Sequence, residues 1–257
     1  MGVVLGVLPI VLLCVLWWYV TAGAPEERIV NRYTLPAPGE VFQLDSSDAN
    51  EGLTPGALVH HLLLSLKRVA LGYLVAVAVV VPLGILMGSF SSIRAMFSPL
   101  ATASGYIPIA TLVPLTFAWW GIDEKQKVYF LAIAFGIYLL PTVIRAIDGV
   151  PDIYLRTAST LGASRLQLVL RILVPVALPD IWQGMRLAFG VGWTYLVLAE
   201  VVVRNGGLGD VIEMSRRRAK PGQVFLIIIL ITLVAWVADL VWVYLGRLLF
   251  PYKKASK

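Results

Sequence analysis

The sequence predicts an all-α membrane protein with about six transmembrane helices. Of its 257 residues, 59% are hydrophobic and only 14% are charged, whereas soluble domains carry about 25% charged residues. The mean hydropathy is +0.84. Several apolar runs reach the roughly 20 residues that a helix needs to cross about 30 Å of hydrocarbon. These observations exclude a soluble domain, a disulfide scaffold and a disordered chain, and they place the formal charge of +6 in loops.

Six segments are long and apolar enough to be spans, and they cover residues 3–20, 69–87, 100–120, 128–144, 185–203 and 224–250. Helices are expected because the runs are uniformly apolar, whereas the strands of membrane barrels alternate. The first run also resembles a signal peptide, because Ala22-Gly23-Ala24 follows it. An uncleaved helix is favoured, since a signal peptide begins with basic residues and the first cation here is Arg28.

The polar segments divide the chain into four parts. We expect an N-terminal helix in residues 1–23, an external loop and an interfacial helix in 24–68, a permeation core in 69–250, and a tail in 251–257. The loop contains the polar cluster DSSDANEG at residues 45–52. The segment HHLLLSLKRV that follows has an apolar face, which predicts a short helix lying in the membrane interface before the second span.

Residues 145–184, which we call the coupling loop, are too polar to span a membrane and too periodic to be a linker. Their pattern predicts two short helices. The first ends at Gly162, where a left-handed residue is least costly. The second begins with a capping box between Ser164 and Gln167 and is broken by Pro175 and Pro179. An amphipathic hairpin resting on lipid headgroups is the alternative interpretation.

Residues 156–175, RTASTLGASRLQLVLRILVP, resemble the cytoplasmic signature of binding-protein-dependent ABC importer permeases. Gly162 is followed after ten and thirteen residues by Ile172 and Pro175, as in that signature. The start of the segment and its Leu-Gly-Ala-Ser run resemble the subgroup that imports nitrate, sulfonates, taurine or bicarbonate. The resemblance implies a type I importer (MetI-like) fold and an ATPase-coupling role for Arg156, Thr157, Ala158, Leu161, Gly162, Ala163, Ser164 and Pro175.

The same resemblance implies the partners and the orientation of the chain. The coupling loop would face the cytoplasm and dock into an ABC ATPase, so both termini would be cytoplasmic in the bacterial inner membrane. Charge alone does not decide this, because the 21 Lys and Arg residues divide almost evenly between the two sides. The sequence has no phosphate-binding Gly-Lys-Ser/Thr loop. No cofactor is therefore expected on this chain, and ATP and magnesium would bind the partner ATPase.

The expected assembly contains a second copy of the chain, because one permease without an internal repeat supplies only half of a pathway. A solute-binding protein would deliver a small anionic or zwitterionic solute from outside, and membrane lipid would surround the helices. No nucleic-acid partner is expected. A stand-alone ion-coupled transporter is the alternative, but it needs titratable residues along the path, and few occur. A membrane-embedded enzyme is less favoured still, because neither a metal cluster nor a Ser-His pair occurs in the spans.

Three further groups of residues are candidates for function. The third span has an unusual density of polar and helix-breaking residues, which indicates either a broken helix that lines a path or tight packing through small residues. Glu200 and Asp239 are carboxylates inside spans. We expect Asp239 to be neutralised by a proton, by Arg186 or Arg145, or by backbone and hydroxyl donors. The path candidates are Ser104, Tyr106, Pro108, Thr111, Pro114 and Glu200.

The external segment after the fifth span is basic. Positive charge at a pore mouth would attract an anion or the acidic surface of a docking protein. Binding to lipid headgroups is the alternative for a basic run. The residues of this external basic patch are Arg204, Arg216, Arg217, Arg218 and Lys220.

Overall fold

The computed structural model describes residues 2–23, 28–42 and 54–252, with side chains from Val7 onward. These residues form helices and no strands. The polar cluster at 45–52 and tail residues 253–257 lie outside the described residues. The helices are α1 Gly2–Val20, α2 Pro38–Phe42, α3 Pro55–Ser89, α4 Ser91–Ser104, α5 Leu112–Trp120, α6 Glu124–Asp148, α7 Asp152–Thr160, α8 Arg165–Leu168, α9 Val174–Val202, α10 Leu208–Arg217 and α11 Pro221–Leu249.

The predicted spans correspond to α1, α3, the pair α4 and α5, α6, α9 and α11. By length and composition, four stretches can cross a membrane: α3, α6, α8 continued through α9, and α11. The third predicted span is broken. Helix α4 and the segment Ile109–Trp120, which contains a 3₁₀ turn and α5, meet at an angle of 88° and add a fifth crossing if counted as one.

Helix α3 differs from the sequence-based expectation. The predicted interfacial helix and the second span form one helix of 35 residues, with no turn between them. At 1.5 Å per residue this helix is about 52 Å long, which exceeds the hydrocarbon thickness. The join stays helical because the sequence around Ser65 and Arg68 contains no Gly or Pro to interrupt it.

The predicted break at Pro175 and Pro179 is wrong, because the helix continues through both prolines. A π-helical turn, Val169–Leu173, joins α8 to α9. Pro175 then lies in the first turn of α9, a position that proline tolerates. The wider turn before it accommodates the proline ring.

The chain forms two compact units, residues Met1–Leu64 with Arg204–Leu233, and Ser65–Val203 with Val234–Lys257. In the first unit, Leu208, Val211 and Ile227 form the buried core. In the second unit, the largest buried cluster joins α6 and α9 through residues that include Leu139, Val143, Val169, Leu173 and Ile181.

Helices α3 and α6 pack closely because α3 presents glycines to α6. A Cβ added at Gly72 would lie 2.7 Å from the Leu131 Cβ, and one added at Gly88 would lie 2.6 Å from the Ile147 Cβ. Side chains at these positions would force the helices apart. The absence of a side chain therefore sets the separation of the two helices.

Candidate functional site

The coupling loop presents an exposed apolar surface at one end of the second unit. The side chains of Ile153 and Tyr154 on α7 are exposed, and Leu161 just after it is 82% exposed. The helix is anchored one turn further on, since Ala158 is buried. Exposed large apolar side chains in a cluster are typical of a surface that another protein covers. Arg156 on the same helix is exposed and lies 3.7 Å from Asp152.

Gly162 makes the turn between the two short helices. Its φ of +78° is left-handed, and glycine adopts this region without the steric cost that a Cβ brings. Two backbone hydrogen bonds close α7, from Ala163 N–H to Ala158 C=O and from Gly162 N–H to Ser159 C=O, both 3.0 Å long. This is the Schellman arrangement, and it confirms that the first helix ends at the glycine.

The capping box predicted for the second helix is present. The Ser164 Oγ accepts a hydrogen bond from the Gln167 N–H at 3.4 Å, and the Gln167 Oε1 accepts one from the Ser164 N–H at 2.9 Å. Two N–H groups that the first turn of a helix would leave without partners are therefore satisfied. Because a left-handed glycine and a capping box occupy adjacent positions, the geometry of the turn is tightly defined by local interactions.

The base of the coupling loop is embedded in the core of the second unit. Val169 and Leu173 of the π-helical turn are buried in the same cluster as Ile147 and Val150, which end α6 and begin the loop. Displacing the exposed surface therefore requires either moving α6 and α9 with it or disrupting this packing. Mechanically, the loop can transmit a push at its surface to two membrane-spanning helices.

Residues 80–251 match the family described as "Binding-protein-dependent transport system inner membrane component", and this match includes the whole coupling loop. The chain belongs to this family. The permease is 29% identical to "Taurine transport system permease protein TauC" of Escherichia coli, over 97% of this chain and 90% of the relative. It is also 29% identical to "Putative aliphatic sulfonates transport permease protein SsuC" of Bacillus subtilis, over 90% of this chain and 81% of the relative.

A solved structure of the MetNI methionine ABC transporter, in an inward-facing conformation, contains a chain of the same fold. The TM-score is 0.65 at 17% identity, covering 74% of this permease and 94% of that chain. At this level of identity the likeness concerns the fold alone. It confirms the MetI-like fold, and the family match confirms the resemblance found in residues 156–175.

The broken third span exposes most of the predicted path candidates of this permease. Tyr106 and Pro108 are exposed between α4 and the 3₁₀ turn Ile109–Thr111, and Thr111 in that turn and Pro114 in α5 are also exposed. Ser104 is half-buried and donates its hydroxyl to the Ala101 carbonyl. The bend therefore exposes residues on one side, while Ile109 and Val113 pack into the core on the other.

Glu200 is not exposed, unlike the other path candidates. Its side chain is 0% exposed and pairs with Arg68, which is 1% exposed, at 2.7 Å. The Ser65 hydroxyl lies 2.8 and 2.9 Å from the two Glu200 carboxylate oxygens. Arg68 also donates to both oxygens of Glu124, at 2.7 and 2.5 Å. Glu200 therefore contributes to a buried ion network that joins α3, α6 and α9, and it does not line an open surface.

This network is the part of the permease that sequence reasoning missed. Arg68 lies just outside the predicted second span, and Glu124 and Lys127 lie just outside the fourth. The sequence pattern therefore indicated that all three are charged residues of loops. Lys127 is buried, with its Nζ 3.7 Å from Glu124. One signal was available, because Glu200 inside a span requires a cationic partner. The pattern of charges could not say which cation that is.

Asp239 pairs with Arg186, which is one of the two partners that the sequence suggested. The Arg186 Nε and Nη2 donate to the two carboxylate oxygens at 2.5 and 2.6 Å. The side chains are 31% and 43% exposed, so the pair is not deeply buried. Two parallel hydrogen bonds fix the geometry between α9 and α11. This arrangement suits an ion pair with a structural role.

The external basic patch is partly neutralised by carboxylates within the first unit. Arg216 and Arg217 both donate to Glu213 of α10, at 2.7 to 2.8 Å, and Arg204 pairs with Asp210. The hydrogen bonds from Arg216 and then Arg217 lower the pKa of Glu213 to about 2. Because this folded-state pKa lies below the usual 4.5, the pairing stabilises the folded state above pH 4.5 and is lost as the pH falls towards 2.

Proposed function

We propose that this permease couples ATP hydrolysis on partner ATPase subunits to the import of a small anionic or zwitterionic solute of the sulfonate, taurine, nitrate or bicarbonate class. The observation that carries the proposal is the exposed apolar surface of the coupling loop on a buried base. The names of the relatives support the solute class. The ATPase would bind ATP and magnesium, and a solute-binding protein would deliver the solute.

The proposal includes the assembly and the orientation. Two copies of the chain would enclose the path, with membrane lipid around them. The coupling loop and both termini would lie on the cytoplasmic side, because the ATPase and its nucleotide are cytoplasmic. The loop would act as a lever. Nucleotide-driven movement of the ATPase would displace α7, and the buried base would pass that displacement to α6 and α9.

Reconstitution of the whole complex tests the proposed function. The permease is co-expressed with the ABC ATPase and solute-binding protein encoded nearest to it, purified, and incorporated into liposomes. Uptake of taurine, ethanesulfonate and nitrate is then measured with and without ATP. We expect ATP-dependent uptake of at least one of them. Uptake by the permease alone, driven by an ion gradient, would instead support a secondary transporter and would contradict the proposal.

Truncating the exposed apolar side chains of the coupling loop tests the docking surface. In the double variant Tyr154→Ala and Leu161→Ala, we expect ATPase retention during purification to fall at least tenfold, because each side chain contributes about 1.5 to 3 kcal/mol when buried. The matched control is Trp236→Ala, which removes an exposed aromatic side chain from α11. Equal ATPase retention by the double variant and the parent would contradict docking at this surface.

Neutralising the basic patch tests whether it attracts solute or binding protein. The variant replaces Arg216, Arg217 and Arg218 with Gln, together with Glu213→Gln, so that Glu213 is not left as a carboxylate without Arg216 and Arg217. We expect uptake at 10 mM salt to fall about tenfold and the defect to shrink at higher salt, where screening removes long-range attraction. The control is Arg247→Gln at the far end of α11. A defect that does not change with salt would assign the patch to lipid headgroups.

A further inference from the structure

The exposed faces of the spans differ in chemistry. On α3, every exposed residue from 69 to 88 is apolar, and the large ones include Leu71, Leu74 and Val79. On α11, the large exposed side chains are mostly aliphatic or aromatic, Leu233, Trp236 and Leu240 among them. Hydrocarbon is a good solvent for such faces and a poor one for polar groups. These faces suit contact with lipid.

Helices α6 and α9 instead expose faces that contain polar residues, and we call these two faces together the polar face. On α6 the exposed residues Tyr138, Pro141 and Arg145 follow one another at helical spacing. Between residues 181 and 200 of α9 the exposed positions are Gln183, Leu187, Gly190 and Thr194, which share one helical face. A Cβ added at Gly190 would meet nothing within 4 Å, so this position borders open space. Such a face in the middle of spans is suited to water or a polar solute.

Two tyrosines connect the polar faces of the two helices. The Tyr138 and Tyr195 hydroxyl oxygens are 2.9 Å apart, at an exposed hydrogen bond, and the rings stack with centroids 6.1 Å apart. Tyr195 also packs against the cluster that contains Ile109, which directly follows the exposed bend of the third span. The hydroxyl pair and the bend are therefore neighbouring features of the second unit.

The charges along this face limit which solute it would favour. Near the hydroxyl pair, the exposed polar residues are neutral, as Thr194 illustrates. The exposed charged residues of the two helices lie towards their ends, Glu124 and Lys125 at one end and Arg145, Asp148 and Asp180 at the other. Arg186, between them on α9, is neutralised by Asp239. Asp148 pairs with Arg94, and Arg145 donates to the Pro141 carbonyl. The centre of the face thus offers hydroxyl donors without a carboxylate that would repel an anion.

A hydroxyl pair suits an oxyanion for a specific reason. Within the pair one hydroxyl donates to the other, which leaves only one hydrogen for a ligand. A sulfonate or nitrate oxygen accepts hydrogen bonds and donates none, so both hydroxyls can rotate towards it. Bonds to a charged acceptor are stronger than the neutral bond that they replace. A passing oxyanion would therefore be bound by two donors, one from α6 and one from α9.

We infer that the Tyr138 and Tyr195 hydroxyls form a transient binding site for the oxyanion group of the solute on the α6 and α9 face. The inference rests on the proposed function, since it names a contact made during import. It goes beyond that function by placing the contact on two particular side chains. It also assigns the polar face to the translocation path and the apolar faces of α3 and α11 to lipid.

The first test removes each hydroxyl while keeping the ring. In the reconstituted complex, Tyr138→Phe and Tyr195→Phe are each expected to reduce the maximal uptake rate about tenfold. The half-saturating solute concentration should stay unchanged, because the binding protein sets it. The double variant should be more impaired than either single variant, since it leaves neither of the two donors. The control is Tyr244→Phe, which removes an exposed hydroxyl from α11 and should import normally.

Uptake at the parent rate by both single variants would overturn the inference. So would a defect accompanied by loss of ATPase association, because that would assign the tyrosines a structural role in holding α6 and α9 together. A parent complex that imports none of the three solutes would count against the proposed function instead. A second measurement, which does not depend on transport, distinguishes failure of this inference from failure of the proposed function.

The second test measures water access directly. In a Cys14→Ser background, Thr194→Cys and Leu240→Cys are treated in membranes with a negatively charged methanethiosulfonate reagent. We expect labelling at position 194, which taurine or nitrate at saturating concentration slows, and at least tenfold slower labelling at position 240. Equal labelling at the two positions, or no labelling at 194, would overturn the assignment of the polar face to the path.

Discussion

Replacing Arg68 with Leu is expected to destabilise the permease by about 3 to 5 kcal/mol, the measured effect of breaking a buried ion pair. Arg68 donates to Glu200 at 2.7 Å, and the two side chains are 1% and 0% exposed. Without the guanidinium, the Glu200 carboxylate would lose its strongest hydrogen-bond donor in a site that water does not reach. The Ser65 hydroxyl would remain and could supply only one hydrogen.

Unfolding of the purified protein by SDS in mixed micelles measures this effect. The control is Arg94→Leu, because Arg94 also pairs with a carboxylate, but both side chains of that pair are about 40% exposed or more. Exposed pairs contribute about 1 kcal/mol or less. Equal destabilisation by the two variants would contradict the importance of burial.

A double variant separates the loss of a partner from the loss of packing. In Arg68→Leu with Glu200→Leu, no Glu200 carboxylate is left buried without its Arg68 partner, while Lys127 still lies 3.7 Å from Glu124; apolar replacement of a buried ion pair is often neutral or stabilising. We therefore expect the second substitution to restore most of the stability that the first removes. Continued destabilisation by the pair would indicate that the Arg68 contacts with Glu124 matter more than those with Glu200.

Replacing Gly162 with Val is expected to reduce ATP-dependent uptake at least tenfold while the protein still inserts and folds. The φ of +78° at this residue is disfavoured for a β-branched side chain, at a cost of about 1 to 3 kcal/mol. Nothing lies within 4 Å of a Cβ added here, so the cost is conformational and not a clash. The turn would relax and change the direction of α7 relative to its buried base.

Gly121→Val is a matched control for the turn. Gly121 also has a left-handed φ, +71°, and also has nothing within 4 Å of an added Cβ, but it lies between α5 and α6, away from the coupling loop. Uptake and ATP hydrolysis are measured for both variants in the reconstituted complex. We expect hydrolysis without uptake for Gly162→Val and coupled uptake for Gly121→Val. Coupled uptake at the parent rate by Gly162→Val would contradict a lever through this turn.

Local features of the fold were predictable from sequence. The left-handed end of α7 at Gly162 and the capping box at Ser164 both depend on residues no more than a few positions apart. Hydropathy placed the apolar spans because membrane insertion depends on the composition of about 20 consecutive residues. The prolines were misjudged because a π-helical turn before Pro175 lets the helix continue, and a hydropathy pattern carries no signal for such a turn.

The candidate site also contains some features that were predictable from the sequence and others that were not. The coupling loop carries its signal in one continuous segment, so its residues could be named in advance. The pairing of Tyr138 with Tyr195 could not, because it joins residues 57 positions apart on two helices. The sequence indicated a higher positive charge for the basic patch than the structure shows. The pattern of arginines does not reveal that Glu213 accepts hydrogen bonds from two of them.

The sequence by itself determined that this chain is a helical membrane permease with a cytoplasmic-type coupling signature, because hydropathy, helix capping and motif spacing act over short stretches of chain. Only the tertiary structure decided which charges are buried together and which faces of the spans are polar. Arg68 and Glu200 are 132 residues apart, and their contact exists because α3, α6 and α9 pack side by side. Such packing depends on the shapes of all three helices at once, which no local pattern specifies.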